Sequence, residues 1–195
     1  TLNTVLTGAA ALTKNSAGTL TLGRANTFSG GVDVQAGTLA VTDVGAFGSG
    51  AVNVSGGVLD LGNLAVTKAL NLTGGALANA GAYAGTATIA AGQAFTLDAA
   101  LGGTVAVAGT LNTATGAAFT GATVNVAAGA TLDATGSAGL AFAGNSRLNL
   151  NGTAVTGAGN ALALAPNPKG KVAGFNPETA NFGVSYIRNQ VTVRL

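Results

Sequence analysis

Cysteine, histidine, methionine and tryptophan are all absent from the 195 residues, and only 7% of the chain is charged. Without cysteine there is no disulfide framework and no thiolate nucleophile. With histidine missing as well, neither a Ser-His-Asp triad nor a zinc site with the usual nitrogen and sulfur ligands can be assembled. Proline occurs three times, and the 32 glycines follow no G-X-Y period, which excludes collagen. The formal net charge of +2 is carried by scattered single cations, Lys14, Arg24, Lys68 and Arg147 among them. Nucleic-acid binding needs a clustered basic surface, so none is expected. No run of about 18 apolar residues occurs, so no helix is expected to span a membrane. The opening at Thr1 carries no basic-then-apolar leader and reads as a mature or excised segment.

What is present is aliphatic. Hydrophobic residues make up 48% of the sequence, with many Ala, Val and Leu. A disordered chain is normally charged and poor in aliphatics, so a folded one with a thin core is expected.

The organisation is an internal repeat. VDVQAGTLAV (32–41), VNVSGGVLDL (52–61) and LNLTGGALAN (70–79) align without gaps at spacings of 20 and 18 residues. Looser copies follow at 87–97, 105–113 and 124–134, with degraded ones at 146–152 (SRLNLNG) and 161–165 (ALALA), and AGTLTL (17–22) matches the second half of the unit. Period-2 alternation over short runs is the signature of strands, and no window carries a helical stripe. Gly37, Gly57 and Gly75 fall between the two short strands of their units, where the chain turns and positive φ is expected.

A unit of about nineteen residues with two or three strands cannot bury its apolar edge alone, but stacked units can. The expected fold is therefore all-β: a right-handed parallel β-helix (β-solenoid) of eight or nine rungs, roughly 40 Å long at about 4.8 Å per rung. Two domains are expected, solenoid repeats over 1–165 and a divergent C-terminal cap or assembly segment over 166–195. All three prolines, four of the eight Lys and Arg, and the single Glu178 lie in that last segment. A divergent polar segment suits the bare strand edge at a solenoid's end.

RANTFSGG (24–31) and DVGAFGSG (43–50) each place an aromatic ahead of a Ser/Gly turn, so Phe28 and Phe47 are expected as corner anchors in the core, the alternative being a binding platform. The middle positions of the V-x-V strands, Asp33, Asn53, Asn71 and later Asn125, form an expected outward ladder. Asp33, Asp60, Asp98 and Asp133 are expected outside, and Asp60 and Asp133, at like offsets in their units, lie several rungs apart, too far for the paired carboxylates of a glycosidase. Asp133 and Arg147 are close enough for one surface ion pair but form no calcium-lyase cluster. A threonine face for ice binding, suggested by Thr19, Thr21 and Thr38, drifts from unit to unit. No catalytic residue, cofactor or metal is expected.

LTKNSAGTLTLGRANTFSGGVDVQAGTLAV (12–41), and again AFGSGAVNVSGGVLDLG (46–62), resembles the autotransporter-associated β-strand repeat, also called the passenger-associated transport repeat. The match includes the Thr-Lys, Gly-Thr-Leu-Thr-Leu, Asn-Thr-Phe-Ser-Gly-Gly and Ala-Gly-Thr-Leu elements. The closing FGVSYIRNQVTVRL is similar to the segment that ends the solenoid portion of such proteins. The resemblance implies a right-handed β-helix on the outer surface of a bacterium or outside it, with a role in adhesion or surface structure and no catalytic residues. Two function classes follow. One is a structural rod, with itself as partner through end-to-end or lateral association into filaments or a surface layer. The other is an adhesin module that binds a glycan or host surface.

Overall fold

The computed structural model describes residues 1–137, 140–156, 162–164 and 191–193. Among these there is no helix; every element is a strand of two to six residues. Alternation along each strand turns one set of side chains inward and leaves the other in water. The strand Val32–Val34 reads buried, half-buried, buried, and Val52–Val54 and Leu70–Leu72 keep both flanking residues inside.

All pairing is parallel, between a strand and its counterpart one coil later. The first face is one nine-stranded sheet of Leu12–Lys14, Val32–Val34, Val52–Val54, Leu70–Leu72, Thr86–Ile89, Thr104–Val107, Thr123–Val126, Arg147–Leu150 and Val191–Val193. The second face consists of two four-stranded sheets, one running from Thr19–Leu22 to Ala76–Ala78 and the other from Ala94–Leu97 to Thr153–Thr156. A third four-stranded sheet, Ala100–Leu101 through Leu162–Leu164, closes the later coils. The earlier coils close with turns instead. The result is a parallel β-solenoid of the right-handed type.

Seven turns, linking eight first-face strands, separate Leu12 from Leu148, so the count of turns differs slightly from the eight or nine rungs expected. The reason is local: ALALA, read as a further rung, contains Leu162–Leu164, the third-face strand of the coil that begins at Arg147. Most of the expected C-terminal segment over 166–195 lies outside the described residues. Its Val191–Val193 strand pairs with Arg147–Leu150 as the last member of the first sheet.

The core is a set of columns. Val32, Val52, Leu70, Ala87, Val105, Val124 and Leu148 stack through the first sheet, and Leu39, Leu59 and Leu77 face them from the second. Each Val or Leu of these columns, fully buried, contributes about 1.5–3 kcal/mol over its exposed state, and Ala87 less. Phe28 and Phe47 sit inside the corner of the early coils at 3% and 1% exposure, and Tyr83, Leu101, Phe119 and Phe142 continue that side of the core. The rings of Phe119 and Phe142 lie 5.0 Å apart at 35°.

Gly37 and Gly75 take positive φ, 63° and 69°. Gly57 does not, and here the expectation is corrected. A Cβ at Gly57 would stand 2.8 Å from the Gly37 carbonyl oxygen and 2.9 Å from a Val34 methyl, so close approach of the coil before it, not backbone conformation, demands glycine there.

Candidate functional site

The outer side of the first sheet presents one in-register column, Thr13, Asp33, Asn53, Asn71, Thr88, Ala106, Asn125 and Asn149. Parallel pairing with no slip carries each side chain onto the one below, at about 4.8 Å per step. Asn71 Nδ2 donates to Asn53 Oδ1 at 2.9 Å, and Asn149 Nδ2 donates to Asn125 Oδ1 at 2.7 Å. Asp33 is held sideways: Gln35 Nε2 donates to Oδ2 and Ser55 Oγ to Oδ1, both at 2.7 Å. Thr88 and Ala106 divide the column, so Asn71 and Asn125 belong to separate amide pairs.

The column itself is uncharged apart from Asp33 and rich in both donors and acceptors, and the exposed Arg147 stands beside it, in register with Thr123. It holds no acid-base pair. Asp60 and Asp133 each accept the amide two residues on, from Gly62 at 2.9 Å and Thr135 at 2.9 Å, the first at a turn and the second within the irregular strand Thr131–Gly136. Asp98 is exposed. Asp133 and Arg147, read as neighbours, stand on different faces, the second and the first, because the coil turns a corner between them. Among the described residues no group of three metal-ligating side chains occurs.

The residues that sequence reading did not single out are polar groups that cap corners. Lys14 takes an inward position, paired in register with Val34, and is only 6% exposed. Its ammonium donates to the carbonyls of Ser16 and, at 3.1 Å, Ala36. Buried carbonyls without partners cost stability, so the cation serves the turns of two coils at once. Leu-x-Lys at 12–14 stands where other units have Val-x-Val, which marks the inward position of Lys14 but not the carbonyls it serves.

Asn26, also buried, bridges three coils, accepting from Leu6 N at 2.8 Å and donating to Ala46 O at 2.6 Å. Lys68 Nζ donates to Gly48 O at 3.2 Å and Ser49 O at 2.6 Å. The Lys68 carbonyl in turn accepts from Tyr83 Oη at 2.7 Å. Burial pushes the Tyr83 hydroxyl well above the ordinary tyrosine value, with the Leu70 backbone pulling slightly the other way. Apart from Ser16, these partners lie 15 to 22 residues away, and nothing in a one-dimensional pattern marks them.

Residues 12–41 match the passenger-associated-transport-repeat family. A stretch of 91 residues, 45% of the chain, is 43% identical to part of the adhesin BmaC autotransporter of Brucella suis biovar 1. The chain spans about 3% of that relative's length. No solved structure matches the chain.

Proposed function

We propose that this chain is a length of a surface-displayed rod in a bacterial adhesin of the autotransporter passenger type. The 43% identity to a segment of the Brucella autotransporter adhesin carries this reading. Its physical content is a stiff spacer. A single sheet continues through all the coils, the core is a closed apolar column, and the outward column of the first sheet offers mostly uncharged, hydrogen-bonded side chains. In this reading the chain has no catalytic centre, cofactor or nucleic-acid partner of its own. Glycan recognition, if this segment takes part in it, falls on the Asp33, Asn53 and Asn71 face. End-to-end or lateral self-association of the solenoid is the second reading.

Antibodies raised against the purified chain test the first reading on bacteria that make the parent protein. Labelling of intact cells, removed by external protease, is expected; labelling only after permeabilisation overturns it. Negative-stain microscopy of the concentrated chain decides the second, with filaments supporting self-association and isolated short rods opposing it.

A further inference from the structure

On the second face five strands open with the same hydrogen bond. The first amide of each donates to the carbonyl one coil back: Thr38 to Gly18 at 2.9 Å, Val58 to Gly37 at 2.8 Å, Ala76 to Gly57 at 2.9 Å, then Thr110 to Gln93 at 2.9 Å and Thr131 to Gly109 at 3.0 Å. Between Ala76 and Thr110 the series is interrupted. Ala94, which follows Ala76 in this order, makes no such bond to Gly75, and the two four-stranded sheets of this face stay separate at that point.

The same coil boundary is thin on the other faces. Leu70–Leu72 and Thr86–Ile89 share two register pairs, whereas the next three steps of the first sheet share four each. The third side is joined by the isolated bridge Ala80↔Leu101 and by Gly102 N donating to Ala80 O at 3.2 Å. The cross-section changes here too, from coils of two strands to coils of three.

In a stacked-coil protein, each coil is stabilised by its neighbours, and a boundary with fewer inter-coil bonds limits how far an opening spreads. We propose that this seam divides the solenoid into two units, residues 1–78 and 94–156, that open independently, with the first sheet as the hinge between them. The role is mechanical: strain on a surface rod opens one side of one boundary and leaves the coils on either side intact.

Native-state amide exchange of the full chain, read by mass spectrometry at low denaturant, tests this. Leu39 and Leu111 are fully buried, one on either side of the seam. Leu39→Ala is expected to lower protection of 38–41 by at least about tenfold and to leave 110–114 within about twofold; Leu111→Ala is expected to do the reverse. If either variant fails to fold, Leu39→Val and Leu111→Val give the same contrast at smaller amplitude. Parallel loss of protection on both sides of the seam, from either substitution, makes the rod one cooperative unit and overturns the proposal.

Discussion

The coils before the seam and those after it solve one problem in two ways. Both must close a third side between the second sheet and the first. Early coils do so with irregular backbone packed directly on backbone: Ser49 N bonds Phe28 O at 2.9 Å, Ser29 N bonds Gly8 O at 2.9 Å, and Asn26 and Lys68 supply donors that the turns lack. Later coils use a third strand and stack side chains across it, Leu101 on Phe119 on Phe142 in register. The first solution depends on glycines that admit a neighbouring chain; the second depends on apolar volume. A solenoid thus tolerates a change of cross-section provided that one sheet runs through unbroken.

A matched pair of glycines sharpens this contrast most. Gly48 and Gly121 both lie where the third side approaches the first sheet, and both have φ of 62°. A Cβ at Gly48 would stand 2.2 Å from the Phe28 carbonyl oxygen, whereas at Gly121 the nearest atom is 3.5 Å away. Gly121→Ala should cost only the left-handed backbone term, about 1–2 kcal/mol. Gly48→Ala adds displacement of the coil above it and should cost about 4 kcal/mol or more, the range of severe substitutions. Urea unfolding of both variants checks the difference; equal losses would mean that the early third side is not tightly packed.

Lys14→Met comes next in size. The methionine keeps the apolar stem and removes the ammonium, leaving the Ser16 and Ala36 carbonyls short of a donor, at a cost of about 1–3 kcal/mol. Its effect should appear in amide exchange of the early coils and not in 110–114. A variant as stable as the parent would show that the inward cation adds nothing.

Tyr83 gives the smallest effect, confined to alkaline pH. The unfolded chain gives up the tyrosine proton near pH 10, while the buried hydroxyl in the folded chain holds it, so its folded value is raised. Its contribution is therefore full below pH 10 and is lost as pH rises beyond it. Tyr83→Phe should be less stable at neutral pH by roughly one hydrogen bond, about 1 kcal/mol, yet lose less on going from pH 9 to 11. Parallel pH profiles for the two proteins would contradict this. Tyr186 is common to both and cancels.

Much of the architecture was legible because alternation is local. The V-x-V and T-L-x-V strings state which residues point inward, and a gap-free spacing of about one coil states what stacks on what. That is why the Asp33, Asn53 and Asn71 column and the burial of Phe28 and Phe47 can be read from a line of letters. The third sheet was harder. Leu101, Phe119 and Phe142 sit in short, alanine-rich strands whose alternation is weak, so Leu162–Leu164 passes for a new coil. The corner caps were illegible for another reason. Whether Lys14, Asn26 or Lys68 finds a carbonyl depends on backbone shape one coil away, and no propensity or spacing encodes it. The seam is a missing hydrogen bond, and a missing bond leaves no trace in composition.

The account rests on one unbroken, in-register sheet that runs through both kinds of coil. The chain contains no cysteine, so Thr13→Cys with Asn149→Cys permits clean spin labelling at two outward positions in its first and eighth strands. Seven strand spacings separate them, a backbone distance of about 34 Å. Pulsed electron–electron resonance should give a single narrow distribution near that value, widened only by the labels. A distance below about 25 Å, as two sheets packed face to face would give, or a broad spread with no maximum, would contradict the stacked solenoid.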